Sequence, residues 1–318
     1  MAQTLYTACT CEWKTDVMND SAVARRNKTY FVTGATGYLG SRLVRLLCES
    51  GAKVYCLIRN TSNLVRISEL ESQITQVRSD SLDYETFFAG KAVDCVVHCA
   101  TDYGRKITSP LSVIESNLIL PLKLLHGAYC AGVPVFINTD TVLDKRINGY
   151  SLSKHQFSQW LETYSNRIAG INVALQHFYG PGDDQTKFAT HIIAALLRND
   201  ERIALTPGEQ KRDFIFIDDV VQALMEIVDK SAALGVGYHD FQVGTGRTVS
   251  IRDFVEAAKR ICGNSQTLLD FGAIKYRDGE IMDIETDLSK MASIDWKPRY
   301  SLEVGLRLTI QEMVAVLS

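Results

Sequence analysis

A run of β-branched and aromatic residues, Tyr30-Phe31-Val32-Thr33, breaks into Gly34-Ala35-Thr36-Gly37-Tyr38-Leu39-Gly40, and a period of three to four residues begins at once with Leu39, Leu43 and Leu46. The pattern predicts strand, tight turn and helix in immediate succession. Glycine is needed at such a junction because a side chain would clash with the turn, with an approaching pyrophosphate and with the packed helix, while the helix N-terminus offers free N–H groups to phosphate oxygens. Gly34, Thr36, Gly37, Tyr38, Leu39 and Gly40 are therefore candidate dinucleotide-binding residues. An ordinary glycine-rich βα turn would look the same in isolation, so the context decides.

That context is regular from Thr29 onward. A second strand, Lys53 to Ile58, ends in Arg59, where an acidic residue would hold a ribose 2′-hydroxyl. A basic residue there suits a 2′-phosphate, so NADP(H) is favoured and NAD(H) is kept as the alternative. A third strand, Ile74 to Val77, leads into a polar turn with Asp80 and Ser81, expected beside the adenine. The fourth, within Val93 to Thr101, ends in Cys99, Ala100 and Thr101, small enough to let a cofactor pass close to the backbone.

A long helical pattern from Val113 to Ala131 delivers the chain to a fifth strand, Val133 to Thr141, and Asn148-Gly149-Tyr150-Ser151-Leu152-Ser153-Lys154 opens the next helix. Tyr150 and Lys154, four apart, share one helix face. A phenol titrates near ~10 and is a poor acid or base at neutral pH, but a neighbouring ammonium stabilises its phenolate. Thr139, at the strand end, is placed to hydrogen-bond the same reacting oxygen. A surface pair on an amphipathic helix is the competing explanation of Tyr-x-x-x-Lys.

Together these motifs resemble the extended short-chain dehydrogenase/reductase family that works on nucleotide sugars, over residues 29 to about 316. The resemblance also rests on His98-Cys99-Ala100, Asn138-Thr139-Asp140, Tyr179-Gly180-Pro181-Gly182-Asp183 and Arg212-Asp213-Phe214-Ile215-Phe216-Ile217-Asp218-Asp219-Val220. Its finer likeness, through Ala100-Thr101-Asp102-Tyr103-Gly104, Gly208 to Phe216 and Phe271-Gly272-Ala273-Ile274 before Arg277, is to the sugar-nucleotide 4-ketoreductases. The family likeness implies that Tyr150 exchanges the proton, that Lys154 lowers its pKa and binds the nicotinamide ribose, and that Thr139 orients the sugar oxygen. It implies substrate contacts from Tyr103, Asp140, His177 and Phe188, and a diphosphate clasped by Arg212 and Arg277. Ala174 and His177 depart from the arginine and asparagine common in the family. The implied activity is NADPH-dependent reduction of a 4-keto sugar in deoxysugar biosynthesis. Nucleotide-sugar 4-epimerisation, 4,6-dehydration and a non-catalytic dinucleotide sensor are the alternatives, and Thr141 in place of a glutamate argues against dehydration.

The implied fold is an α/β, Rossmann-like, doubly wound parallel sheet with a smaller C-terminal substrate-binding lobe. The expected division is an extension over 1–28, a dinucleotide domain over 29–179 with returning segments at about 212–245, and a lobe from 180–211 and 246–318. The likeness also implies a homodimer paired through the helices near 113–131 and 151–164.

With 318 residues, 46% of them hydrophobic, the chain can bury a large core. A net charge of −3 gives no electrostatic footprint for nucleic acid or an anionic membrane. No apolar run approaches the ~20 residues of a spanning helix, and a cytoplasmic protein is expected. The eight cysteines are expected to be reduced and mostly in the core, and no metal site is expected, Cys9 and Cys11 being too close for a common zinc pair.

Overall fold

The computed structural model describes residues 25–105 and 109–317, with Ser81 and Leu317 described by backbone alone. Most of the expected N-terminal extension, with Cys9 and Cys11, lies outside the described residues. Two compact units are built from the chain, one from residues up to 175 with 221–242, the other from 176–220 with 243 onward.

In the first unit, β1 (Thr29–Thr33) feeds α1 (Tyr38–Glu49), followed by β2 (Lys53–Ile58), β3 (Ile74–Arg78), α2 (Tyr84–Ala89) and β4 (Cys95–His98). Then come α3 (Pro110–Ile114), α4 (Leu120–Cys130), β5 (Val135–Thr141), α5 (Gly149–Tyr164) and β6 (Ala169–Leu175). Strand order runs β3-β2-β1-β4-β5-β6, all parallel. Chain order reverses between β1 and β4, and such a switch point opens a crevice at the carboxyl ends of the strands. Phe31, Val96 and Phe136 face Phe88, Leu124, Leu125, Phe157 and Leu161 of α2, α4 and α5. Each such side chain contributes about 1.5–3 kcal/mol on full burial.

The second unit begins with β7 (His177–Tyr179), α6 (Phe188–Leu197), β8 (Arg202–Leu205) and β9 (Lys211–Phe216). Helix α7 (Ile217–Leu234) then leads to β10 (Gly237–Val243), which extends the large sheet beyond β6 to seven strands. The chain continues through β11 (Thr248–Ser250), α8 (Ile251–Ile261), β12 (Leu268–Phe271), α9 (Ser289–Ser293) and α10 (Leu302–Leu317). Its core is aromatic: Phe214 stacks on Phe254 at 4.1 Å, with Tyr179 and Phe216 alongside. The Tyr179 hydroxyl donates to the Leu302 carbonyl at 3.1 Å, in space left by Gly305, where a Cβ would lie 2.3 Å from that hydroxyl.

Two expectations change here. Residues 211–216 do not return to the large sheet but form β9 between β7 and β11, so that only β10 returns. The single helix expected over 113–131 is three pieces: α3, a π-helical turn at Glu115–Ile119 and α4, whose first turn holds Pro121. In the first turn of α7, Asp219 accepts the backbone N–H groups of Arg299 and Tyr300 at 2.9 and 3.1 Å.

Candidate active site

The glycine turn has the shape that a pyrophosphate requires. Gly34 takes φ +67°, and a Cβ on it would fall 2.6 Å from the backbone of Cys99 and Ala100. A Cβ on Gly40 would lie 2.2 Å from the Gly34 carbonyl oxygen, so the first turn of α1 packs directly on the loop. Gly37 is the N-cap, no side chain caps the helix, and its first turn holds no acidic residue. The N–H groups at this end are thus left without a side-chain acceptor in a field that favours anions. Thr33 clamps the neighbouring loop: its hydroxyl accepts from the Ala100 N–H at 3.2 Å and lies within hydrogen-bond distance of His98 Nδ1, at 2.8 Å. These features fit a dinucleotide.

At the end of β2, Arg59 is exposed, and among the described residues no carboxylate pairs with it. Arg78, at the end of β3, donates to the Arg59 carbonyl at 3.5 Å and adds a second cation to the same corner. Asp80 accepts from the Asn60 N–H at 3.3 Å.

A connected set of polar side chains crosses the middle of β5, β6 and β10 and reaches the carboxyl end of β5 at Asp140. Lys154, fully buried on α5, donates to Asn138 Oδ1 at 3.4 Å, and Asn138 donates to Asn172 at 2.8 Å. Asn172 in turn donates to Asp140 at 3.0 Å and to Asp240 at 2.9 Å. Asp140 also accepts the Thr141 N–H at 2.7 Å, so both of its oxygens are engaged. Thr139 donates to the His98 carbonyl at 3.0 Å, which ties β5 to β4 and leaves its lone pairs to accept. The Asn148 capping box begins α5 just before Tyr150, whose ring lies 5.0 Å from that of Tyr103.

Burial pushes the Tyr150 phenol above its ordinary value of 10.0, and Tyr103 and Asp140 add to the rise; hydrogen bonding from Thr141 and the charge of Arg105 oppose it. Burial lowers Lys154, against Asp140 and Cys99. The Lys154 ammonium is directed at Asn138. Burial, reinforced by Lys154, holds His98 well below the usual imidazole range, so it is neutral.

In the second unit, Arg212 donates to the carbonyls of Lys211 and Ile281 at 2.6 and 2.8 Å and pairs with Glu280. Arg277, 81% exposed, lies 3.5 Å from the other oxygen of Glu280. The two arginines expected to clasp a diphosphate thus share one carboxylate. His177 is neutral, lowered from 6.5 to about 4 by burial and by the charges of Arg212 and Lys187. Its Nδ1 has no partner among the described residues. Phe188 opens α6, 37% exposed, with its ring against Phe214 and Phe254 at 6.4 and 5.8 Å, at the margin of the aromatic core.

Residues 30–244 match the NAD dependent epimerase/dehydratase family. The chain belongs to that family. It is 33% identical over 296 residues to CDP-abequose synthase of Salmonella typhimurium, covering 89% of this chain and 97% of that one. GDP-L-fucose synthase 1 of Arabidopsis thaliana is 27% identical, with 91% and 94% covered. Among solved structures, UDP-glucose 4-epimerase of Thermotoga maritima with UDP-glucose superposes with a TM-score of 0.79 at 23% identity, covering 91% of this chain and 100% of that one, a likeness of fold. As a member of the epimerase/dehydratase family, the protein is an enzyme that uses a nicotinamide dinucleotide.

For this family member, the strand-end geometry also assigns positions that sequence reasoning left unremarked. Asn117, buried in the π-helical turn, accepts from the Asp102 N–H at 2.8 Å and donates to the Asp102 carbonyl at 2.8 Å and to Ser153 at 3.1 Å. It thereby pins the loop carrying Thr101 and Tyr103 to α5. The signal available was a polar residue amid an apolar helical pattern ahead of Pro121, and π-turns of this kind recur at functional sites. Thr141 and Asn172 carried no motif of their own. Of the described cysteines, Cys48, Cys56 and Cys95 are buried as expected, Cys99 and Cys262 are half-buried, and Cys130 is exposed. Among the described residues, no helix is long and apolar enough to cross a membrane.

Proposed function

We propose that this enzyme reduces the C4 keto group of a nucleotide-linked 4-keto-6-deoxy or 3,6-dideoxy sugar, with NADPH as the reductant. The observation that carries the proposal is the placing of Tyr150, on α5 with its ring 5.0 Å from that of Tyr103 and one turn before the buried Lys154. A phenol at that position can give a proton to an alkoxide as it develops at C4.

The bound dinucleotide supplies the hydride. Thr139, its proton committed to the His98 carbonyl, accepts from a hydroxyl and so orients the sugar. Lys154, anchored through Asn138, holds the nicotinamide ribose and supplies the positive field that stabilises charge as Tyr150 gives up its proton. Arg59 and Arg78 favour a 2′-phosphate, and the pairing of a guanidinium fork with phosphate oxygens supports it. Arg212 and Arg277 would take the substrate diphosphate, and the nucleotide-sugar character of the substrate is supported by the relatives named above. The same proposal includes a homodimer. Leu111, Ile114, Leu152 and Trp160 on α3 and α5 are exposed and apolar, as a helix-pairing face would be.

The test incubates the pure protein with NADPH and CDP-, dTDP- and GDP-linked 4-ketosugars while following loss of reduced nicotinamide. Turnover with one of them is expected, and Tyr150→Phe should lower it by about 10²–10⁴-fold with NADPH affinity unchanged. Sugar isomerisation without net NADPH consumption would instead identify a 4-epimerase, and turnover surviving Tyr150→Phe would refute the catalytic assignment.

A further inference from the structure

Three metal-ligating side chains outside this site converge on the surface of the first unit. Glu85 comes from α2, and His126 and Cys130 come from α4; one donor atom of each lies within 4.8 Å of the others. His126 and Cys130 are four apart and share a helix face. The convergence depends on a close helix contact. Gly127 is buried, and a Cβ on it would come within 2.9 Å of the Tyr84 backbone and 3.1 Å of the Glu85 nitrogen. Without a side chain at that point, α4 lies against α2 and His126 reaches Glu85.

The imidazole is also oriented. His126 Nδ1 lies 3.1 Å from the Tyr164 hydroxyl on α5, while Nε2 faces Cys130 Sγ at 3.7 Å and Glu85 Oε1 at 3.5 Å. When Tyr164 accepts the Nδ1 proton, the lone pair of Nε2 points between the thiol and the carboxylate. A partner of this kind behind a ligating histidine fixes its tautomer.

We infer that Glu85, His126 and Cys130 form a zinc site with its fourth position open to solvent. Bonds of about 2.3 Å to sulfur and about 2.0–2.1 Å to nitrogen and oxygen, arranged as a tetrahedron, set S···N and N···O edges of about 3.5 and 3.4 Å. The observed 3.7 and 3.5 Å are close to those edges. Imidazole and thiolate together select zinc over hard cations such as magnesium or calcium. The charge also balances: thiolate and carboxylate neutralise the dication, and the thiol loses one proton on binding. A plain Glu85–His126 ion pair, with side chains 62% and 50% exposed, is worth little and does not account for the thiol.

Cobalt(II) titration of the full, untagged chain tests the site, because cobalt–thiolate coordination gives a charge-transfer absorption that oxygen and nitrogen ligands lack. One equivalent per chain is expected, displaced by zinc with release of metal-bound cobalt. Cys130→Ala should abolish the band, His126→Ala should weaken binding at least tenfold, and Tyr164→Phe should weaken it by about tenfold. A Cys9→Ser/Cys11→Ser variant should keep the band. Absence of stoichiometric uptake by the unaltered chain, or undiminished affinity in Cys130→Ala and His126→Ala, would overturn the inference; the exposed positions make misfolding an unlikely confounder, and circular dichroism of each variant checks it.

Discussion

The glycine turn after β1 and the arginine pair of the second unit are both assigned to phosphate groups, yet they are built in opposite ways. At the turn, the binding groups are backbone N–H groups, and their position is set by steric necessity: a Cβ on Gly34 or Gly40 would overlap the backbone at 2.6 or 2.2 Å. At the arginine pair, the binding groups are long side chains, and Glu280 already engages both. Backbone donors cannot be claimed by a distant side chain as easily as a guanidinium can. A site of the first kind is therefore fixed by its local sequence, whereas one of the second kind depends on which carboxylate the fold brings near.

The largest effect expected from this contrast is at the turn. Gly40→Ala sets a methyl against the Gly34 carbonyl oxygen, and the loop or α1 must shift. Overpacking of this order costs about 1–3 kcal/mol and would move the N–H groups proposed to meet the pyrophosphate, so dinucleotide affinity should fall by about 5- to 150-fold. Fluorescence titration with NADPH measures it, with circular dichroism showing that the fold persists. Unchanged affinity would mean that the turn does not set the cofactor site.

The arginine pair should respond less, and unequally. Arg212 is buried and held by two carbonyls and Glu280, so Arg212→Ala removes a fixed, charge-assisted donor. KM for the nucleotide sugar should rise by about 10- to 100-fold, with NADPH affinity within twofold of the original. Arg277 is 81% exposed, and screening limits Arg277→Ala to about threefold. Equal losses at the two positions would show that burial does not rank them, and a loss of NADPH affinity in either would break the division between the two phosphate sites.

The same distinction explains what could be read from the chain. The strand–turn–helix at Thr33 to Gly40 and the Tyr150–Lys154 face follow from periodicity and local steric demands, and the parallel sheet of β1 to β6 follows from the family resemblance; all are present. The π-turn at Asn117 was hidden because its cause is long-range: Asn117 satisfies Asp102 and Ser153, and no local pattern names those partners. The spacing of Tyr150 to Lys154 is legible in sequence, but the burial that raises the phenol is a property of the assembled site. Likewise β9, three polar residues and then Phe214-Ile215-Phe216, could pair in either sheet, and only its pairing with β7 and β11 puts it in the smaller one.

The smallest effect separates a histidine's charge from its shape. His177 is buried beside Arg212 and Lys187, and its folded pKa of about 4 lies below its ordinary 6.5. A lowered pKa means that the unfolded chain takes up the proton first. The neutral imidazole's contribution to stability is therefore fully present above pH 6.5 and is lost as the pH falls towards 4. At pH 5 the loss should be about 1–2 kcal/mol, part of it shared in direction by His98. His177→Asn, which cannot titrate, should narrow the difference in thermal midpoint between pH 7 and pH 5 by a few degrees. An unchanged difference would mean that His177 meets solvent freely, and that the cations around it do not act on it as a set.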